Sequence, residues 1–270
     1  MPTFWRAPDG TRLAVDAQGD GQVVVFQHGL CGDAAQAAEH FPAAPGLRRL
    51  TLECRAHGGS DAGSPEAFGI ARFTDDLAGV LDETCGGATP AVVGGVSMGA
   101  AMALRLAVTR PDLVRALVIN RPAWVTEPAP PNCAPIAEIG RCLAAADPAT
   151  ARERFLASET AAALRRDSPD NLASLTGFFD RDSPEVTAAL LLAITADGPG
   201  VTEAEVAAVT VPALVVGCER DVVHPMAMAE RLAALLPNAR LAKVHPKSDD
   251  RARHFVEVRA EIDQFLRDVG

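Results

Sequence analysis

Ser97 stands in Gly95-Val96-Ser97-Met98-Gly99, a Gly-x-Ser-x-Gly string flanked as a serine nucleophile requires. A hydroxyl attacks a carbonyl only when a base takes its proton and donors receive the charge that develops on the carbonyl oxygen. Ahead of the string, Ala91-Val92-Val93-Gly94 reads as a short buried strand. Behind it, Ala100 to Arg110 carries alanine and leucine at helical spacing. Ser97 is therefore expected on a tight strand-to-helix turn, with its hydroxyl thrust out of the backbone and glycines where a Cβ would clash. The following helix turns its N-terminal N–H groups toward negative charge.

Two other segments supply parts of that chemistry. Gln27-His28-Gly29-Leu30-Cys31-Gly32 directly follows the apolar run Val23–Phe26. The Leu30 N–H is a candidate oxyanion donor, with the Met98 N–H as its partner. His28 in the same turn reads as a structural histidine or as a pocket residue. Gly217-Cys218-Glu219-Arg220-Asp221 follows the run Ala213–Val216. Asp221 then lies at the carboxyl edge of a strand, where functional loops gather, and is the candidate acid; its competing reading is a cap for the helix after Pro225.

The elements that must hold these residues alternate. Strands are predicted at Leu13–Val15, Val23–Phe26, Leu50–Leu52, Ala91–Gly94, Ala116–Ile119, Ala213–Val216 and Leu241–Val244. Helices are predicted from Phe73 to Cys85, after Ser97, from Pro225 to Leu236 and from Arg251 to Val269. Such alternation implies a mostly parallel central sheet flanked by helices. The stretch from Pro122 to Gly200 breaks it. That stretch is proline-rich from Pro128 to Pro135 and without a strand, and it carries helix starts at Asp147-Pro148 and Ser183-Pro184-Glu185. It reads as an inserted helical cap. The expected division is a core of residues 1–121 and 201–270 with a mobile cap of 122–200.

The chain has 270 residues, 48% of them hydrophobic, enough for one large α/β domain with an insertion. Its net charge of −10 argues against nucleic-acid or anionic-membrane partners. No apolar run is long enough for a bilayer, and Met1–Arg6 lacks the features of a signal peptide. The six cysteines (Cys31, Cys54, Cys85, Cys133, Cys142, Cys218) include no Cys-x-x-Cys pair, so free thiols in the cytoplasm are expected, with no metal site and no cofactor. The expected partner is a small-molecule substrate; a homodimer is left open.

These motifs resemble those of α/β-hydrolase-fold proteins with a helical cap, over nearly the whole of Val23 to Phe265 apart from the cap. Ser97, Asp221 and a later histidine stand in that family's order of nucleophile, acid and base. Glu53-Cys54-Arg55-Ala56-His57-Gly58-Gly59-Ser60 resembles the family's Asp-x-Arg-Gly-His-Gly-x-Ser loop, with Glu53 and Ala56 as departures. The resemblance makes Arg55 and His57 structural. The family's Gly-His after the last strand has no counterpart here. His254 is predicted as the base because it opens the final helix after an eight-residue polar stretch, and His245 is the alternative. His224, three residues beyond Asp221, reads as a solvated loop histidine.

The resemblance implies a serine hydrolase working through an acyl-enzyme on a small, mainly apolar ester, lactone or thioester. Dehalogenases and epoxide hydrolases of this fold attack through aspartate, and the chain has no tyrosine to hold an epoxide oxygen. A triad-bearing small-molecule receptor, an acyltransferase or perhydrolase, and a carbon–carbon bond hydrolase are the alternatives. Trp124, Phe178 and Phe179 are candidate pocket residues or cap packing. Arg141, Arg152, Arg154, Arg165 and Arg166 read as a solvated face rather than a carboxylate site.

Overall fold

The computed structural model describes residues 3–84 and 90–270; Cys85, at the end of one predicted helix, lies outside them. Strands β1 (Thr3–Arg6), β2 (Arg12–Gln18), β3 (Gln22–Gln27), β4 (Leu47–Leu52), β5 (Ala91–Val96), β6 (Val114–Asn120), β7 (Ala213–Gly217) and β8 (Ala239–Lys243) form one sheet. Its order is β1-β2-β4-β3-β5-β6-β7-β8. β2 is antiparallel to β1 and β4, and every other pairing is parallel.

The helices around the sheet are α1 (Ala34–His40), α2 (Ile70–Thr84), α3 (Met98–Thr109), α9 (Glu203–Ala207), α10 (Met226–Leu235) and α11 (Arg251–Asp268). Between β6 and β7 come α4 (Ala134–Ala145), α5 (Pro148–Leu156), α6 (Glu159–Asp167), α7 (Pro169–Thr176) and α8 (Pro184–Ala196). The helix start expected at Asp147 is there: its carboxylate accepts from the Ala149 and Thr150 N–H groups ahead of Pro148.

The apolar runs of β3, β5, β6 and β7 follow from being covered on both faces. Val24, Phe26, Val92, Val118 and Leu214 pack against Ala37 of α1 and Val258, Ile262 and Phe265 of α11. Val25, Val93, Leu117 and Val215 point the other way, into the cluster that holds α2, α3 and α10. Each fully buried residue of this size contributes about 1.5–3 kcal/mol. The sheet is thus a rigid plate, and its carboxyl edge carries the loops after β3, β5, β6 and β7.

The insertion is tied where it leaves and rejoins the core. Trp124 Nε1 donates to the Asp197 carbonyl at 2.9 Å, and the Asp197 carboxylate accepts from the Ile70 N–H at 2.7 Å, at the start of α2. Trp124 is buried in this seam and is not among the residues lining the cavity described below, which favours packing over the pocket among its two readings. Among the described residues no helix is long and apolar enough to cross a membrane.

Candidate active site

Ser97 occupies the turn between β5 and α3 with φ 56° and ψ −113°. A non-glycine residue there costs about 1–3 kcal/mol and persists only where its surroundings fix it. Here the Ser97 N–H donates to the Asn120 carbonyl of β6 at 3.1 Å, and the Ser97 carbonyl accepts from Ala100 and Ala101 of α3. The two glycines are required by contact. A Cβ on Gly95 would stand 2.6 Å from the carbonyl carbon of Gly99, and one on Gly99 would stand 2.5 Å from the Gln27 carbonyl oxygen. The turn therefore packs directly on the chain leaving β3.

That chain is the 28–32 loop, and its amides differ in their partners. The Gly29 N–H donates to Gln36 Oε1 at 2.7 Å and the Cys31 N–H to His57 Nε2 at 2.9 Å. The Leu30 N–H between them has no backbone acceptor among the described residues. Met98 is the first residue of α3, where an N–H has no intrahelical acceptor by position. Leu30 and Ser97 line one cavity. His28 does not line it. It is fully buried, with Nδ1 on the Gly29 carbonyl at 2.8 Å and Nε2 accepting from the Cys54 N–H at 3.0 Å. Both ring nitrogens are spent on holding the loop, so a pocket role is corrected to a structural one.

At the end of β7, the two oxygens of Asp221 are divided. Oδ2 receives Arg121 Nε at 2.8 Å and Nη2 at 2.6 Å. Oδ1 accepts from the His224 N–H at 3.0 Å and from His224 Nδ1 at 2.9 Å. The ring nitrogen is thereby the protonated one, and His224 Nε2 is left buried without a partner among the described residues. His224 is not solvated: its side chain is 10% exposed and lines the cavity of Ser97. Burial alone would raise the Asp221 carboxyl, but Arg121 and His224 outweigh it and hold the carboxyl well below its usual range. Burial pushes His224 down, Asp221 opposes that, and Arg121 adds to it, so the net shift favours the neutral ring.

Neither histidine predicted as base is hydrogen-bonded to the Asp221 carboxylate, although the His254 Nε2, like that of His224, is buried without a partner among the described residues. Asp250 caps α11 by accepting from the Arg253 N–H, which puts His254 in the first turn, fully buried. There its Nδ1 faces the His245 carbonyl at 2.8 Å, not the Asp221 carboxylate. Burial, with Arg121 adding, lowers His254 to about 4. His245 donates its backbone N–H to Glu257. Neither residue lines the cavity.

The cavity measures about 340 Å³ and is lined by Leu30, Ser97, Ile136, Leu175, Phe178 and His224, among others. Phe178, read as a pocket residue or as cap packing, is among its lining residues. Phe179 instead stacks beside Phe155 in the insertion, ring centroids 5.9 Å apart. None of the five arginines weighed for carboxylate binding lines it; Arg121, Arg181, Lys247 and Arg251 do. Lys247 and Arg251 are already paired, with Asp170 at 3.0 Å and with Glu39 respectively. Among the described residues no group of three His, Cys, Asp or Glu side chains could hold a metal ion.

Comparison with known proteins agrees with this architecture. Residues 22–255 match the family model described as the alpha/beta hydrolase fold. The sn-1-specific diacylglycerol lipase ABHD11 of Mus musculus is 37% identical over 125 residues, 45% of this chain and 38% of that protein, so the match spans well under half of that relative. The structure of a thermophilic esterase from Thermogutta terrifontis superposes with a TM-score of 0.75 at 21% identity, covering 100% of this chain and 99% of that one. The enol-lactonase from Burkholderia xenovorans gives 0.68 at 24% identity, with 98% and 100% coverage. The chain belongs to the α/β hydrolase fold family.

Proposed function

We propose that the protein is an esterase-like serine hydrolase in which Ser97 is the nucleophile, His224 the base and Asp221 the acid. The observation that carries this reading is the Asp221 Oδ1–His224 Nδ1 contact of 2.9 Å, which leaves His224 Nε2 buried without a partner among the described residues, on a residue that lines the same cavity as Ser97. Base and acid then come from one loop, in place of the expected His254. Ser97 Oγ bonds to the carbonyl carbon of the substrate while its proton passes to His224 Nε2. The oxyanion is received by the Leu30 and Met98 N–H groups, each worth about 3 kcal/mol in the barrier. The bond to the leaving oxygen or sulfur breaks as that atom takes the proton from His224. Water, deprotonated by the same nitrogen, releases the acid and restores Ser97. Asp221 holds the tautomer and stabilises the transient imidazolium.

The cavity volume suits a small acyl group, and its walls at Leu30, Ile136, Leu175 and Phe178 favour an apolar one. Esterases and a lactonase among the structural neighbours are consistent with an ester, lactone or thioester. The test pairs turnover of p-nitrophenyl butyrate with intact-mass labelling by an alkyl fluorophosphonate. One adduct on the protein and none on Ser97→Ala is the expected result, with turnover lost in the variant. Label retained by Ser97→Ala, or tight substrate binding without turnover, overturns the reading.

A further inference from the structure

Arg181 enters the cavity wall from the segment between α7 and α8, yet two of its three hydrogen bonds go to the core. Nη1 donates to the Cys31 carbonyl at 3.3 Å and Nη2 to the Ala56 carbonyl, while Nε is anchored on Thr187 Oγ1 at 3.2 Å in α8. The two carbonyls belong to residues that share an unusual backbone: Cys31 has φ 60° and Ala56 has φ 61°. Neither is glycine, so each holds a conformation that needs outside support. Cys31 is also the residue whose N–H is fixed by His57, one position past Leu30. Among the described residues Arg181 makes no ion pair, so its charge beside the cavity is not neutralised by a carboxylate.

We propose that Arg181 is a positioning residue that locks the Leu30 oxyanion donor in place from the inserted helices. The role rests on the reading of Leu30 and Ser97 given above. A planar guanidinium suits it because its fork of donors reaches two carbonyls at once, which an ammonium does not. The lock makes donor geometry depend on the seating of the insertion: with α8 displaced, the two strained turns lose their shared partner. The unpaired charge also favours an oxyanion over the neutral carbonyl that precedes it.

The test uses Arg181→Ala and Arg181→Lys in the full chain. For Arg181→Ala, kcat on p-nitrophenyl butyrate should fall about 10- to 100-fold, a fraction of what a lost oxyanion donor costs, with KM within about threefold. A trifluoromethyl ketone, which forms the oxyanion on Ser97, should lose affinity in proportion to kcat/KM. Arg181→Lys should recover part of the loss, and millimolar guanidinium should partly rescue Arg181→Ala. Amide hydrogen exchange in the peptide spanning 29–32 should speed up in Arg181→Ala, whether or not an ester is turned over. A protein that takes no phosphonate and turns over no ester defeats the hydrolase reading, while the exchange result still decides the lock. A rise in KM alone makes Arg181 a substrate-binding residue and overturns the proposal. Unchanged exchange with unchanged kcat overturns it as well.

Discussion

At the residue scale, one carboxylate shared by a cation and a histidine decides the pH behaviour. Arg121 lowers the His224 pKa and Asp221 raises it, with burial the largest downward influence. The base works when neutral, so kcat/KM should rise with pH along a limb whose midpoint lies below the ordinary imidazole value of about 6.5. Arg121→Gln removes a cation and should move that midpoint up; Asp221→Asn removes the anion and should move it down. A pH–rate profile of the two variants that shifts the other way, or not at all, detaches His224 from the limb. Glutamine in turn at 224, 245 and 254 completes the argument. His224→Gln should lose about 10³-fold or more, and the other two should keep most of their activity once stability is matched. A dead His254→Gln beside an active His224→Gln would restore the base expected from the sequence. Of the proposed site, Ser97, Leu30 and Asp221 were placed from the sequence because each follows a strand within a few residues, so local pattern fixes its position. His224 was not, because its burial comes from far along the chain. Asn171 of α7 accepts from the Val223 N–H at 2.9 Å, and Ser168 donates to the Arg220 carbonyl at 2.8 Å. A loop histidine becomes a buried one only after the insertion has folded over it.

At the scale of elements, the turn after β5 and the chain leaving β3 act as one unit, because α3 begins against the carbonyls of Gln27 and His28. Gly99→Ala would push a methyl into that backbone, which has no rotamer to move aside. Overpacking of this kind costs about 1–3 kcal/mol. Since 1 kcal/mol shifts a domain of this size by about 2–4 °C, Tm should fall by several degrees and activity should fall with it. Gly177 is the matched control. Its φ is −64°, and an added Cβ meets nothing within 4 Å. Gly177→Ala should leave Tm unchanged or raise it slightly. Equal losses in both variants would mean that the helix start, not its contact with the loop, sets the cost. The strands around this unit were read correctly from continuous apolar runs, since β3, β5, β6 and β7 are buried on both faces. β1 and α1 went unread for the same physical reason in reverse. β1 is a four-residue edge strand whose side chains are mostly exposed, and α1 is a seven-residue helix with only Ala37 and His40 buried. Neither carries a period strong enough to see without its neighbours.

For the molecule as a whole, the insertion supplies Ile136, Leu175 and Phe178 to the cavity that Ser97 lines. Its position between β6 and β7 was visible as a break in alternation, with proline at one end and Gly198-Pro199-Gly200 at the other. The sequence reading puts its flexibility at those ends. Trp124 and Ala129 both hydrogen-bond the Asp197 carbonyl there, and Gly198 and Pro199 are buried, so hydrogen bonds and burial tie the seam at this end. The exposed stretch nearest the cavity is instead Asp180 to Ser183, where Arg181 alone reaches back to the core while Asp182 and Ser183 face solvent. Subtilisin, which needs an extended and accessible segment, should therefore cut the native protein first within Asp180–Ser183, with Glu127–Ala129 as the second site and the sheet strands spared. Phe178 and Leu175 line the cavity with Ser97, so an alkyl fluorophosphonate on Ser97 should slow the first cut severalfold. It should leave the second cut unchanged, because Glu127–Ala129 lies away from the cavity lining. Mass spectrometry of the early fragments reads both rates in one experiment. Cleavage beginning in β3 to β7 would mean that the insertion is the more stable part. Equal protection at both sites would mean that inhibitor tightens the whole fold rather than closing one edge over its ligand.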